Sequence, residues 1–163
     1  MDVENKSISV WLVLKDGENR GKIILQKRSN KETSCPFICQ ATWAGKVEKG
    51  EDIESAIKRE CKEELGTEFS ESFNFSDLQL LCEDIYKNNG IDCAAFNYLG
   101  FIDADGLKNV RLHQEAQKKF IFVGLEDQVC STEAKENPEN CLVLFDDQYK
   151  VLKNILNASS RNK

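Results

Sequence analysis

The chain has 163 residues, 40% of them hydrophobic and 31% charged, which fits one globular domain (residues 1–163) and excludes a disordered or fibrous chain. No apolar run approaches the ~20 residues of a membrane-spanning helix. The 22 Lys and Arg against 28 Asp and Glu leave a net charge of −6, which argues against broad nucleic-acid binding and leaves room for small phosphorylated ligands.

The first six residues are polar and form no apolar leader. The seven cysteines (Cys35, Cys39, Cys61, Cys82, Cys93, Cys130, Cys141) are odd in number. Together these predict free thiols and a cytoplasmic setting. Cys35 and Cys39 have no second Cys/His pair at zinc spacing, and the lone histidine, His113, reads as a surface residue. Residues 7–14 are apolar and β-branched, residues 15–21 are turn-rich, and residues 23–25 are apolar before Gln26-Lys27-Arg28. This predicts a hairpin with a long loop. Residues 29–40 hold Pro36 and read as a loop, and residues 41–50 as strand running into loop.

From Asp52 to Leu65 the period changes. Ile53, Ile57, Cys61 and Leu65 recur every four residues, with Asp52 as the expected N-cap and Gly66 as the terminator. Residues 78–87 and 91–102 read as strands around a tight Asn88-Asn89-Gly90 turn. Residues 103–117 read as loop, 119–123 as strand, and 131–140, with Pro138, as loop. Tyr149, Leu152, Ile155 and Leu156 place a helix over about 146–156. The mixture predicts an α/β fold with helices packed on a mostly antiparallel sheet.

Glu60, Glu63 and Glu64 stand at i, i+3 and i+4 and share an arc of about 100° on the helix. Like charges at that spacing repel, and near the C-terminal end they also oppose the macrodipole. Lys58, Arg59 and Lys62 offset part of this, so a Glu-rich face alone reads first as solvated surface. Clustered hard oxygens are also what Mg²⁺ or Mn²⁺ binds.

The neighbours of the triplet decide between those readings. In residues 45–67, GKVEKGEDIESAIKRECKEELGT, the spacing of Gly45, Glu51, Arg59-Glu60, Glu63-Glu64 and Gly66 resembles the Nudix box of the Nudix hydrolase family. Cys61 and Thr67 stand where the family usually carries an aliphatic residue, and Trp43-Ala44-Gly45 where many members have Pro-Gly-Gly. The run from Gln26 to Ser29, with Lys31, Pro36 and residues 44–48, is similar to the branch near isopentenyl-diphosphate isomerase.

The resemblance implies an α/β/α sandwich with a mixed sheet and the box as loop–helix–loop. It also implies a metal-dependent hydrolase that cleaves the diphosphate linkage of a small nucleoside diphosphate derivative. By position it makes Glu60, Glu63, Glu64 and the Gly45 carbonyl the ligands of Mg²⁺ or Mn²⁺. It gives Glu51, Glu63 and Arg59 catalytic duties, Arg59 mainly by orienting a box glutamate, and makes Glu115 a candidate base. Lys27 and Arg28 are candidates for phosphate contact and Trp43 for stacking on a base, while Phe37 reads as core. Many relatives dimerise, which makes a homodimer through Trp11 or the apolar strands an open expectation. Two other readings stand beside this one. An isopentenyl-diphosphate-type isomerase wants a cysteine where this chain has Ala44, and a non-catalytic nucleotide-binding module usually lacks a box glutamate, whereas none is lost here. The missing proline between Pro36 and Pro138 weighs against an ADP-ribose type, and Tyr86 stands only near the place expected in dinucleoside polyphosphate enzymes.

Overall fold

The computed structural model describes residues 3–28, 37–112, 119–133 and 141–161. The expectations on Ser29, Lys31, Cys35, Pro36, His113 and Glu115 lie outside these residues. Strand β1 (Asn5–Leu14) is the centre of a mixed sheet that has nine strands among the described residues. Its run is apolar on both faces because both faces are covered. Ile8, Val10, Leu12 and Leu14 enter one core with helix α1 (Ile53–Leu65). Trp11 and Val13 enter the other with helix α3 (Asp146–Arg161). This is the expected sandwich of helix, sheet and helix.

On one side β1 pairs in parallel with β6 (Ile91–Ile102), which pairs antiparallel with the edge strand β5 (Gln79–Asn88). The β5–β6 turn takes positive φ at both Asn89 (51°) and Gly90 (80°), the conformation that a two-residue hairpin requires and that Asn-Gly supplies cheaply. On its other side β1 pairs antiparallel with β2 (Ile23–Lys27) near Leu12 and with β4 (Trp43–Lys46) from Ser7 to Val10. Thr42 sits at this fork. Its hydroxyl donates to the Ile24 carbonyl (2.6 Å) and accepts from the Leu12 N–H (3.0 Å), satisfying backbone groups that the divergence would orphan.

Helix α1 begins where expected, with the Asp52 carboxylate accepting from the Ser55 N–H (2.7 Å). It ends at Gly66, whose φ of 96° few other residues adopt. The chain then continues directly into a second short helix, α2 (Thr67–Ser72), which no apolar periodicity announced. Phe69, Phe73 and Phe75 bring edge-to-face contacts to Trp43, and tertiary packing rather than propensity holds this turn.

Several loop expectations are corrected. Cys39–Gln40 (β3) and Ser131, which ends β8 (Val129–Ser131), are strand rather than loop, and Leu142–Leu144 (β9) is a strand where no element was expected; each is two or three residues long, too short to show alternation. Lys119–Val123 (β7) is the expected strand, and Ala104–Asn109 is a 3₁₀ turn. Cys130 and Cys141 form a disulfide, so the expectation of free thiols fails for this pair. Cys39, Cys61, Cys82 and Cys93 are free. Phe37, expected in the core, is 55% exposed. Trp11 is fully buried with its Nε1–H donated to Asn97 Oδ1 (3.0 Å), so it faces no interface. Among the described residues, no helix is long and apolar enough to cross a membrane.

Candidate active site

The box residues gather where the end of β4, the loop over 47–52 and helix α1 meet. Arg59, half-way along α1, is the hub. Its Nε and Nη2 donate to the two oxygens of Glu51 (2.9 and 3.0 Å), a bidentate pair that fixes the loop onto the helix. Nη1 donates to Glu60 Oε1 (2.7 Å) and, more weakly, to Glu63 Oε2 (3.4 Å). Nη2 also reaches the Lys46 carbonyl (2.8 Å), tying the helix to β4. The Glu48 N–H donates to Glu51 Oε2 (2.9 Å), which closes the loop on itself.

This hub offsets part of the charge crowded on one helix face, since Arg59 reaches both Glu60 and Glu63. The hydrogen bonds from Arg59 and the Glu48 N–H hold Glu51 below the usual carboxylate range. Burial pushes Glu60 above its ordinary value, with Arg59 opposing the shift. The guanidinium is held firmly charged by Glu51 and Glu60. Gly45 is glycine for a steric reason: a Cβ there would overlap the Glu60 carboxyl group, which occupies the space beside the strand.

Glu64 is held separately. The carboxamide Nε2 of Gln26, a fully buried residue of β2, donates to Glu64 Oε2 (2.6 Å) and to the Thr42 carbonyl (2.5 Å). Gln26 is the site residue that sequence reasoning missed. Its signal was a lone amide ending an apolar strand, at a position whose alternation points it toward α1. Gln26 Oε1 finds no hydrogen-bond partner among the described residues.

The sequence candidates divide into those brought together and those placed elsewhere. Gly45, Glu51, Arg59, Glu60 and Glu63 form one network, with Glu64 beside it on the same helix. Glu63 is the most open of the three box carboxylates of α1, with 58% of its side chain exposed against 13% for Glu60. Lys27 alternates to the other face of β2 and stands over the Phe37 ring at 5.9 Å, away from the carboxylates. Arg28 follows β2, partly buried, with its backbone N–H on the Ile38 carbonyl (3.0 Å). Trp43 is fully buried, its Nε1–H donated to the Ile57 carbonyl (3.1 Å) and its ring surrounded by phenylalanines. The stacking role expected of it is therefore corrected to a core role.

Among the described residues no three acidic, Cys or His side chains converge as a ready metal cluster. Arg59 holds Glu60 and Gln26 holds Glu64. The donor chemistry nevertheless suits a hard divalent cation. It is all oxygen, it is concentrated on one helix face, and it lies beside the buried Gln26 Oε1, an acceptor with no donor.

A family model described as NUDIX domain matches residues 5–141. No curated protein matches the chain. Among solved structures, the chain is similar to a MutT protein from Methanosarcina mazei Go1, at 17% identity and TM-score 0.56, covering 99% of this chain and 98% of that one. It is also similar to a bifunctional NMN adenylyltransferase/ADP ribose pyrophosphatase from Francisella tularensis, at 15% identity and TM-score 0.59, covering 98% of this chain and 43% of that one. Against a Deinococcus radiodurans protein the identity is 20% and the TM-score 0.45, covering 61% of this chain and 57% of that one. The chain thus spans less than two thirds of the length of these last two. At such identities the likeness is one of fold.

Proposed function

The chain belongs to the NUDIX family, and from that premise we propose that this Nudix hydrolase cleaves the diphosphate linkage of a small nucleoside diphosphate derivative by attack of water on phosphorus, with Mg²⁺ or Mn²⁺ as cofactor. The observation that carries this reading is the Arg59 brace. It holds Glu51 and Glu60 in fixed positions against Gly45 and leaves Glu63 open to an approaching substrate.

A diphosphate meets this acidic surface only if its charge is offset. A divalent cation, when bound, supplies that offset and lowers the pKa of a water molecule. Glu60, Glu63, Glu64 and the Gly45 carbonyl would hold it. Arg59 and Glu51 act as positioning residues, since their polar atoms are spent on each other, on Glu60 and on the Lys46 carbonyl. Gln26 positions Glu64 in the same way from the sheet. The attacking water delivers its oxygen to phosphorus, the bridging P–O bond breaks, and the proton passes to a carboxylate. Glu63 is the candidate from its exposure, and Glu115 the candidate from a downstream loop.

The test is a panel of nucleoside diphosphate derivatives incubated with Mg²⁺ or Mn²⁺, with chelator and isopentenyl diphosphate as controls and products identified by ³¹P NMR. Metal-dependent cleavage of at least one derivative is expected. Turnover of isopentenyl diphosphate alone, or an untouched panel, overturns the proposal.

A further inference from the structure

The edge strand β5 presents a surface that the proposed reaction does not use. It pairs only with β6, so along its other side a row of backbone N–H and C=O groups has no strand partner among the described residues. It also exposes large apolar side chains: Leu80 (54%), Ile85 (61%) and Tyr86 (41%). Exposed edges are normally blunted by charged side chains, proline or a bulge; β5 has no proline, and its charges, Glu83, Asp84 and Lys87, are of mixed sign and so can complement a second copy. Here the register shift between Leu80 and Cys82 disturbs only the start of the strand and leaves 82–88 regular.

We infer that β5 pairs antiparallel with β5 of a second copy of this chain, with Ile85 facing Ile85 of the partner subunit across the twofold axis. The register follows from symmetry and charge. A twofold axis perpendicular to the sheet keeps each face on its own side, so a residue meets only residues of its own face. Glu83, Ile85 and Lys87, which stand across from Phe96, Ala94 and Asp92 of β6, share one face, and Asp84 and Tyr86 share the other. Centring the pair on Glu83, Asp84 or Lys87 sets like charges directly opposite each other, which is destabilising. Centring it on Tyr86 sets Ile85 against an ammonium group. Centring it on Ile85 sets Glu83 opposite Lys87 of the partner subunit twice, joins the two isoleucines, and places Tyr86 beside Asp84 of the partner subunit.

Lys87 is positioned for such a bridge. It bonds Asp92 at 2.8 Å yet keeps 70% of its side chain exposed. The contact is isologous and closes on itself, so it gives a dimer and not a fibre. It also reaches the vicinity of the box. Tyr86 and Asn88 line a cleft of about 160 Å³ with Lys6 and Lys46, and Lys46 adjoins Gly45. Pairing lays the partner's strand along the outer wall of that cleft.

The test is sedimentation equilibrium of the full chain over a concentration series up to the high micromolar range, with circular dichroism and thermal melting as fold controls. The wild-type chain is expected at dimer mass. Ile85→Asp, at a position already exposed, is expected to give a folded monomer. Glu83→Lys is expected to raise the dimer dissociation constant by about tenfold or more. The double variant Glu83→Lys/Lys87→Glu, which restores opposite charges across the axis, is expected to recover the dimer. A monomeric wild-type chain, a dimer indifferent to Ile85→Asp, or a folded double variant that stays monomeric overturns the inference.

Discussion

Gly45→Ala isolates the geometry of the site from the stability of the fold. A Cβ built at Gly45 lies 2.5 Å from Glu60 Oε2 and closer still to Cδ and Oε1. Van der Waals contact begins at about 3.5 Å, so the carboxyl group must withdraw by at least about 1 Å. That movement pulls Glu60 Oε1 off its 2.7 Å bond from Arg59 and displaces a proposed metal ligand. Misplacement by about 1 Å costs on the order of 10²-fold in rate, so kcat/KM is expected to fall about a hundredfold at saturating Mg²⁺ or Mn²⁺. Gly45 has no positive φ, so the melting temperature is expected to change little. The contrasting variant is Gly50→Ala. Its Cβ would meet open space but its φ is +82°, so it is expected to lose about 1–2 kcal/mol of stability and keep its rate within a few-fold. Steady-state kinetics and thermal melts on both variants decide the matter. A Gly45→Ala enzyme within threefold of wild type refutes the argument that the Glu60 position matters.

Three further outcomes follow from the same contacts. Arg59→Lys replaces a bidentate fork with a point charge, and kcat is expected to fall 10- to 100-fold, as for loss of a partner that orients a ligand; an unchanged kcat would mean the brace is incidental. Trp43→Ala removes a fully buried ring, and urea denaturation should show a loss of about 3–5 kcal/mol with KM of the remaining folded enzyme nearly unchanged; a selective KM rise at full stability would restore the stacking role. Burial pushes the Cys39 thiol up to about 11 and the Cys61 thiol to about 12, from an ordinary value of 9.0. Above that ordinary value the unfolded chain releases protons that the folded chain keeps. Stability is therefore fully present below about pH 9 and falls between about 9 and 11–12, and a Cys39→Ala/Cys61→Ala chain should lose part of that slope in urea midpoints measured across the range.

The box was legible because it rests on a fixed spacing, the long strands and helix α1 because they carry a period, and the sandwich came with the resemblance that the box implies. Residues 7–14 announced a strand of a hairpin, and the recurrence of Ile53, Ile57, Cys61 and Leu65 every four residues announced α1 with its Asp52 cap. The strands β3, β8 and β9 were not legible, because two or three residues carry no period and tertiary pairing decides them. Helix α2 was hidden for a similar reason: its aromatic residues belong to a cluster around Trp43 that only the fold assembles. The box spacing named the carboxylates but not their restraints. Arg59 and Glu51 as a bidentate pair, and Gly45 as room for Glu60, fit the spacing once the helix is placed against β4. Gln26 lies 38 residues from Glu64, and local pattern does not connect them. Lys27 failed as a phosphate contact because strand alternation turns it to the far face, and Trp43 failed as a stacking residue because a tryptophan beside a site is as readily its floor.

The central claim is that water, directed by the box carboxylates and a divalent cation, attacks phosphorus. It is tested most directly by running the cleaved substrate in H₂¹⁸O and reading the label by ³¹P NMR, with wild type and Glu63→Gln in parallel. The account predicts ¹⁸O on one phosphoryl product only, no product after chelation, and a rate lowered by orders of magnitude in Glu63→Gln. Product without label on phosphorus, cleavage that survives chelation, or a Glu63→Gln rate within a few-fold of wild type would contradict it.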